Sequence, residues 1–324
     1  MRQITYSEAL NEALREEMTR DPRVFCLGED IGPLGGAFQV TKGLINIFGP
    51  DRIRNTPISE QAIAGLAIGA AMKGMRPVAE FMYIDFMGLA IDQIANQAAK
   101  SRYMFGGKIE IPVVFRTQGG AGRGNAGQHS QSLEAWYYHV PGLKVVMPST
   151  PYDAKGLLKS SIRDNNPVVF IEHKLLYSTK GEVPEEDYTI PLGKADIKRK
   201  GSSITIIATS NMVQKVLKVA ENLKDKIDIE VIDPRTLVPL DLNTIISSVK
   251  KTNKVAIVQE AVRRGGVASD IAACIMEKAF DSLDSPIKII AGENTVIPYS
   301  QNLELAAIPS IESIEKGINS FFSK

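Results

Sequence analysis

Short apolar runs rich in Val and Ile alternate with longer amphipathic stretches along nearly the whole chain. The runs predict strands at Val24–Gly28, Pro77–Phe81, Ile111–Arg116, Lys144–Met147, Pro167–Glu172, Ser203–Ala208, Ile229–Ile232, Lys254–Gln259 and Ile287–Ile290. The amphipathic stretches predict helices at Tyr6–Met18, Ser59–Lys73, Ile84–Ser101, Pro151–Asp164, Met212–Leu223, Leu240–Lys250, Gly266–Asp281 and Ser310–Phe322. Apolar strands that alternate with helices are typical of βαβ units. The pattern therefore predicts an α/β fold built on parallel sheets.

The alternation stops once and then restarts. Residues 174–201 are polar, contain Pro and Lys, and have no clear period, whereas a new βα pattern begins at Ser203. A chain of 324 residues is long enough for about two domains of roughly 150 residues each. We therefore predict a first domain over residues 1–180, a linker over 181–201 and a second domain over 202–324.

Composition and charge exclude several classes of function. The chain has 38 Lys and Arg against 37 Asp and Glu, which gives no electrostatic grip on nucleic acid or on an acidic membrane. No run reaches the roughly 18 apolar residues of a membrane span. Cys26 and Cys274 lie far apart, which predicts neither a disulfide framework nor a zinc site. The N-terminus lacks the order of a secretory signal, so we expect a cytoplasmic location.

The predicted helix at Ser59–Lys73 carries the first candidate for chemistry. After Gln61 it contains only Ala, Ile, Gly, Leu and Met for eleven residues. A helix that is apolar all round is expected to be buried. Glu60 then stands at the N-terminus of a buried helix, with Ser59 as N-cap. This carboxylate either stabilises the helix dipole or exchanges a proton with a ligand.

A glycine-rich segment at Gly119–Gly127 leads to the second candidate. Gly122, Gly124 and Gly127 satisfy G-x-G-x-x-G, but no long apolar helix follows and no acidic residue lies about 20 positions further on. The segment is therefore interpreted as a mobile loop that a ligand or partner orders. His129 follows it among hydroxyl and amide side chains, where a histidine is suited to proton transfer.

Other catalytic classes lack their motifs. Ser130 and Ser132 flank His129, but the chain has no G-x-S-x-G elbow of a serine hydrolase. It also has no H-E-x-x-H, no P-loop and no cluster of metal-ligand residues. His139, before a Pro-Gly turn, and His173, at the end of a strand, fit structural roles.

Several long segments together resemble one family. They are Gly28-Glu-Asp, Arg54-Asn-Thr-Pro-Ile-Ser-Glu60, Arg76-Pro-Val-Ala-Glu-Phe-Met, Asp92-Gln-Ile, Gln128-His-Ser-Gln-Ser, the run from Pro141 to Leu158, Lys180-Gly-Glu-Val-Pro-Glu-Glu-Asp-Tyr, Asp233-Pro-Arg-Thr-Leu-Val-Pro-Leu-Asp and Ser248-Val-Lys-Lys-Thr. Over essentially its full length, the chain resembles the β subunit of the thiamine-diphosphate-dependent E1 component of 2-oxo acid dehydrogenase complexes. The resemblance covers pyruvate, branched-chain 2-oxo acid and acetoin dehydrogenases. It implies a pyrimidine-binding domain followed by a transketolase C-terminal-type domain.

The resemblance also assigns site residues. Glu60 falls on the glutamate that bonds N1′ of the aminopyrimidine, and Met82 and Phe86 fall where the family packs the pyrimidine ring. His129 falls on the histidine that faces the substrate. A potassium site, formed mostly by backbone carbonyls, would map to Val113, Ser161, Ile162, Asp164 and Asn166.

One motif of such enzymes is missing from this sequence. The diphosphate and Mg²⁺ are held by Gly-Asp-Gly and an Asn pair that follows about 25–30 residues later; the chain has Asn165-Asn166 but no Gly-Asp-Gly. We therefore expect an α subunit to supply that half of the site and to hold the Mg²⁺. The family arrangement is an α2β2 heterotetramer with a second β chain.

The predicted function is that of an E1 β subunit, an oxidoreductase component active only with its α subunit. It would cleave pyruvate, a branched-chain 2-oxo acid or acetoin, and pass the acyl group to a lipoyl-bearing E2 chain. The histidine motif is nearest to the acetoin and bacterial pyruvate members. Two alternatives stay open: a stand-alone transketolase-like enzyme, and a non-catalytic α/β subunit of an electron-transfer complex.

Overall fold

The computed structural model describes residues 1–322, and they form two compact units. The first unit contains residues 1–119 and 136–192, and the second contains residues 120–135 and those from 193 onward. The short segment 120–135 is therefore inserted in the sequence of the first unit but groups with the second. This insertion is the main feature that the alternating sequence pattern does not indicate.

The first unit is built on a parallel sheet. Its strands are β1 (Arg2–Thr5), β2 (Val24–Glu29), β3 (Ile53–Thr56), β4 (Arg76–Glu80), β5 (Val114–Gly119), β6 (Lys144–Val146), β7 (Val168–His173) and β8 (Lys180–Val183). Six of them lie in the order β6-β7-β5-β4-β2-β3, and all their pairings are parallel. β1 and β8 form a separate antiparallel pair. The predicted parallel sheet is confirmed.

Helices cover this sheet. They are α1 (Tyr6–Arg20), α2 (Leu44–Phe48), α3 (Glu60–Met72), α4 (Ile84–Met87), α5 (Ala99–Met104) and α7 (Pro151–Arg163). A further short helix, α6 (Glu134–Tyr138), begins in the inserted segment. α1 and α7 pack side by side, and their apolar residues share one core with alternate residues of the central strands. α3 contacts β4 and β2.

Local sequence accounts for where α1 and α7 begin. Thr5 forms a capping box with Glu8 at the start of α1. Thr150 caps α7, where Pro151 occupies the first turn without losing a helical hydrogen bond. The buried Lys155 and Lys159 of α7 pair with Glu16 of α1, so the contact between the helices is charged as well as apolar.

The second unit repeats the βα theme. Its strands are β9 (Asp196–Arg199), β10 (Ile204–Ala208), β11 (Ile229–Asp233), β12 (Thr236–Val238), β13 (Val255–Val262) and β14 (Lys288–Gly292). Its helices are α8 (Asn211–Asn222), α9 (Leu242–Thr252), α10 (Val267–Ala279), α11 (Gln301–Ala307) and α12 (Ile311–Asn319). Five strands lie in the order β14-β13-β10-β11-β9, with β9 as the antiparallel edge.

The two faces of the second sheet differ. Ile204 and Ile206 of β10 join an apolar core with α8 and α12. The hydroxyl of Thr205, which points to the opposite face, contacts Ser248 of α9 at 2.6 Å. Helices therefore lie on both faces of this sheet, as in other doubly wound folds.

The structure corrects two expectations about helices. α3 is not buried all round: one face packs inside the unit, but Gly65, Leu66 (63% exposed), Gly69 and Met72 lie on an uncovered apolar face. The predicted helix at Ile84–Ser101 is broken into α4, a short 3₁₀ turn, a π-helical stretch at Gln93–Ala98 and the start of α5. A uniform apolar composition cannot indicate which side of a helix its own unit covers.

No helix within the described part of the chain is both long enough and apolar enough to cross a bilayer.

Candidate active site

The carboxyl ends of the parallel strands in the first unit bring several charged residues to one edge of the sheet. Glu29 ends β2, Glu80 ends β4 and His173 ends β7. Open parallel sheets bind ligands outside this edge. Glu60 begins α3 shortly after the carboxyl end of β3 and joins this set.

The sequence predicts that Glu60 begins a buried helix. In the structure the side chain of Glu60 is only half-buried within the chain. Ser59 occupies the N-cap position, but its side chain makes no capping hydrogen bond. Glu60 lies close enough to Glu29 to affect it: burial first, and then the charges of Asp30 and Glu60, raise the pKa of Glu29. The edge of the sheet therefore holds an acidic cluster beside a helix N-terminus, where a carboxylate can accept and return a proton.

Met82 and Phe86 follow β4 at the same end of the sheet, and both are partly exposed. The backbone carbonyl of Met82 accepts a hydrogen bond of 2.8 Å from Nε2 of Gln118. The Phe86 ring lies edge-on to Tyr83, with centroids 5.7 Å apart. Gln118 therefore fixes the backbone of Met82, and Tyr83 supports the ring of Phe86. The exposed parts of both apolar side chains can contact a flat ring.

A buried charged cluster lies behind Met82. Arg116 of β5 makes a bidentate contact with Glu172 of β7 (2.5 and 3.0 Å) and also pairs with Glu80. The Tyr177 hydroxyl donates to Glu172 at 2.5 Å. Burial disfavours the charged guanidinium, but the two carboxylates outweigh burial and raise the pKa of Arg116. The backbone of Phe81 donates to the Arg116 carbonyl at 2.9 Å, which ties this cluster to the segment before Met82.

His129 lies in the second unit, on the inserted segment 120–135. It is partly exposed, and its backbone N–H donates to the Ala126 carbonyl at 3.3 Å. The neighbouring Ser130 is 2% exposed, and its Oγ has no hydrogen-bond partner within residues 1–322. A cavity of about 430 Å³ in the second unit is lined by Ser130, Gln131 and Glu260, among others. His129 therefore precedes two residues that line this cavity, Ser130 and Gln131, on a segment separate from Glu60.

The five residues assigned to potassium lie around the C-terminal end of α7. They are Val113, Ser161, Ile162, Asp164 and Asn166. The carbonyl oxygens of Ile162 and Asp164 already accept hydrogen bonds of 2.9 and 3.0 Å from Nη1 of Arg76. Each carbonyl has a second lone pair, and the C-terminal end of a helix favours positive charge. These two carbonyls therefore already bind one cation, the guanidinium of Arg76.

Sequence reasoning missed the Arg116 cluster and the carboxylates that hold the glycine-rich segment. A signal for the cluster was present, because Arg116 and Glu172 are charged residues at the ends of the predicted apolar strands Ile111–Arg116 and Pro167–Glu172. Charged residues inside buried strands are rare unless they are paired. Glu304, which bonds the glycine-rich segment, gave no such signal, since it lies 182 residues from its partner Gly122.

Two family models match consecutive parts of the chain. Residues 2–180 match the transketolase pyrimidine-binding domain, and residues 193–314 match the transketolase C-terminal domain. A solved split-gene transketolase, an inactive β4 tetramer, superposes with a TM-score of 0.80 at 22% identity, over 98% of this chain and 97% of that one. Fold and domain order thus define a protein of the transketolase type.

Relatives at higher identity narrow this class. The chain is 50% identical to the pyruvate dehydrogenase E1 component subunit beta of Rickettsia felis, over 97% of this chain and 98% of that protein. It is also 50% identical to the acetoin:2,6-dichlorophenolindophenol oxidoreductase subunit beta of Cupriavidus necator, over 97% and 96%. The chain therefore belongs to the family of E1 β subunits of thiamine-diphosphate-dependent 2-oxo acid dehydrogenases.

Proposed function

We propose that this chain is the β half of an E1 enzyme that cleaves pyruvate, a branched-chain 2-oxo acid or acetoin and passes the acyl group to a lipoyl-bearing E2. The observation that carries the proposal is the position of Glu60. It stands at the N-terminus of α3 beside Glu29, at the ligand-binding edge of a pyrimidine-type domain. A carboxylate in this position can accept a hydrogen bond from a ring nitrogen and exchange its proton.

The residues at this edge fit the aminopyrimidine of thiamine diphosphate. Met82 and Phe86 present partly exposed apolar side chains for the ring, and Glu60 presents a carboxylate for N1′. When bound, thiamine diphosphate supplies an electron sink for the negative charge that develops when a bond to the substrate carbonyl carbon breaks. Glu60 would hold the N1′ proton, while Met82 and Phe86 would fix the ring and exclude water.

His129 would move a proton on the substrate, or during acyl transfer to the lipoyl group. Its imidazole can donate or accept a proton near neutral pH. Its side chain is partly exposed, so a substrate can reach it without unfolding the segment.

The uncovered apolar face of α3 supports the proposal that the chain works only with a partner subunit. Gly65 and Gly69 on this face have open space where a side chain would stand, so another helix can approach closely. We propose that an α subunit and a second β chain complete an α2β2 heterotetramer, and that the α subunit holds the diphosphate and Mg²⁺. The second lone pairs of the carbonyls near Arg76 would hold K⁺, as a structural ion.

A Glu60→Gln substitution in the reconstituted α/β enzyme tests the role of Glu60. Gln cannot exchange the proton, so substrate-dependent reduction of an artificial acceptor is expected to fall by about 10²–10⁴-fold. The matched control is Glu185→Gln, an exposed carboxylate of the same unit, which should retain full activity. Full activity of the Glu60 variant would overturn the assignment.

The same assay with pyruvate, branched-chain 2-oxo acids and acetoin identifies the substrate. Calorimetry addresses the stand-alone alternative: the isolated chain should bind thiamine diphosphate and Mg²⁺ far more weakly than the complex. Equal affinity would favour a self-contained transketolase-like enzyme. If Glu60 and His129 variants both keep full activity, the chain acts as a non-catalytic subunit.

A further inference from the structure

The glycine-rich segment is held by two carboxylates of the second unit. The backbone N–H groups of Gly122 and Gly124 both donate to Glu304, each at 2.8 Å. The N–H of Ala121 donates to Glu260 at 2.7 Å. The segment that the sequence suggested to be a mobile loop is therefore bonded at three points within its own unit.

The backbone of the segment is shaped for this contact. Gly122 and Gly124 have φ values of +110° and +68°, which a residue with a side chain rarely adopts. Successive N–H groups in such conformations point into one concavity that attracts an anion. Here Glu304 occupies the concavity, which explains why a G-x-G-x-x-G sequence does not indicate a dinucleotide phosphate.

The two carboxylates come from different elements. Glu304 lies on α11 and is fully buried, with 0% exposure, whereas Glu260 lies on β13 and is partly buried. Before these residues in the chain, the Gly120 N–H donates to the Gln131 carbonyl at 3.0 Å. This bond closes a loop of residues 120–131, which contains His129. The backbone that carries His129 is thus fixed by one hydrogen bond within the segment and by others to α11 and β13.

We propose that Glu304 and Glu260 are positioning residues that hold His129 in place for the reaction. The inference rests on the proposed role of His129. In this arrangement α11 and β13 determine where the imidazole lies, although neither carboxylate touches the substrate. Hydrogen bonds from neutral N–H groups to a carboxylate are stronger than bonds between neutral groups, and burial strengthens them further.

The test compares Glu304→Ala, Glu304→Gln and Glu260→Gln in the reconstituted α/β enzyme, with His129→Ala alongside them. Glu277→Gln, an exposed carboxylate on α10, is the matched control. Two readouts are needed: hydrogen exchange of the peptide that covers residues 119–127, and kcat and KM with each active substrate. Exchange requires no catalytic activity, so it reports on the segment even if the proposed function is wrong.

Glu304→Ala removes two charge-assisted bonds, so exchange in this peptide should accelerate by about tenfold or more. kcat should fall towards the His129→Ala value while the cofactor affinity stays within about twofold, because the cofactor contacts proposed for this chain lie in the first unit and the remaining ones in the α subunit. Glu304→Gln keeps one acceptor oxygen and should lie between the wild type and Glu304→Ala. Glu260→Gln, at a less buried site, should show a smaller effect of the same kind and keeps the test usable if Glu304→Ala does not fold.

The outcomes separate the two proposals. Unchanged exchange in the folded Glu304 variants overturns the anchoring itself. Faster exchange with unchanged kcat, together with an inactive His129→Ala enzyme, means that the anchor does not position His129. Faster exchange with full activity of His129→Ala instead overturns the proposed role of His129, and with it the reason for positioning.

Discussion

Glu134 is a buried carboxyl whose protonation should control the stability of the second unit. It begins α6 and is only 4% exposed. Burial, and to a smaller extent the charge of Glu260, raise the pKa of Glu134 from 4.5 to about 7. Replacement by Gln keeps the shape of the side chain and removes the ionisation.

The magnitude follows from proton linkage. In the unfolded chain the carboxyl loses its proton around pH 4.5, whereas in the folded chain it keeps the proton until about pH 7. The folded state therefore binds more protons between these values, and stability falls as the pH rises through this window. At 1.36 kcal/mol for each pH unit, ionisation of buried Glu134 costs about 3 kcal/mol above pH 7.

Thermal unfolding of wild type and Glu134→Gln at pH 5 and pH 8 measures this cost. The variant should gain about 2–3 kcal/mol relative to wild type between the two pH values. For a unit of this size the gain corresponds to a rise in its melting temperature of roughly 5–10 °C. Glu277→Gln, at an exposed position of the second unit, controls for the loss of one carboxylate. An equal difference between variant and wild type at both pH values would refute the reasoning.

Three further substitutions probe the first unit by equilibrium unfolding. Arg116→Leu leaves two buried carboxylates without their guanidinium and should cost about 3–5 kcal/mol, so unfolding within 1 kcal/mol of wild type would contradict the pairing. Gly142→Ala forces a Cβ at φ +102° to within 2.1 Å of the Ala99 carbonyl oxygen, and should cost about 2 kcal/mol or more. Thr150→Ala removes the cap of α7 at a cost of about 1 kcal/mol, and Thr150→Ser should restore most of it.

The buried parallel strands could be predicted from the sequence, and the reason is their environment. β2 and β7 are covered on both faces and therefore read as apolar runs up to their last one or two residues. β3 was missed because it is an edge strand, Ile-Arg-Asn-Thr, in which only Ile53 is buried. Short, half-polar edge strands leave little trace in a hydrophobicity pattern.

The sequence predicted those site residues that belong to short contiguous motifs. Glu60, Met82 and His129 each belong to a contiguous segment that carried the resemblance, whereas Phe86 lies four residues beyond the segment that ends at Met82. Their roles stay predictions until the variants are measured. The acidic neighbour Glu29 and the contacts behind Met82 required coordinates, because they join strands that are distant in the sequence.

The burial of α3 marks a different limit of the sequence. Its composition correctly indicates a helix that is apolar on every side, but composition does not record which molecule covers each side. One face is buried by the chain itself, and the face of Leu66 is not. We propose that another chain covers this second face.

The inserted segment 120–135 also constrains how this protein can be divided or recombined. The domain order suggests two modules that could be exchanged between relatives by a single crossover near residue 190. Such a hybrid would combine one parent's Gly122 and Gly124 with the other parent's Glu304, and a fragment ending at Leu192 would lose that carboxylate altogether. A hybrid or fragment therefore keeps these bonds only if it contains both residues 120–135 and a carboxylate at position 304.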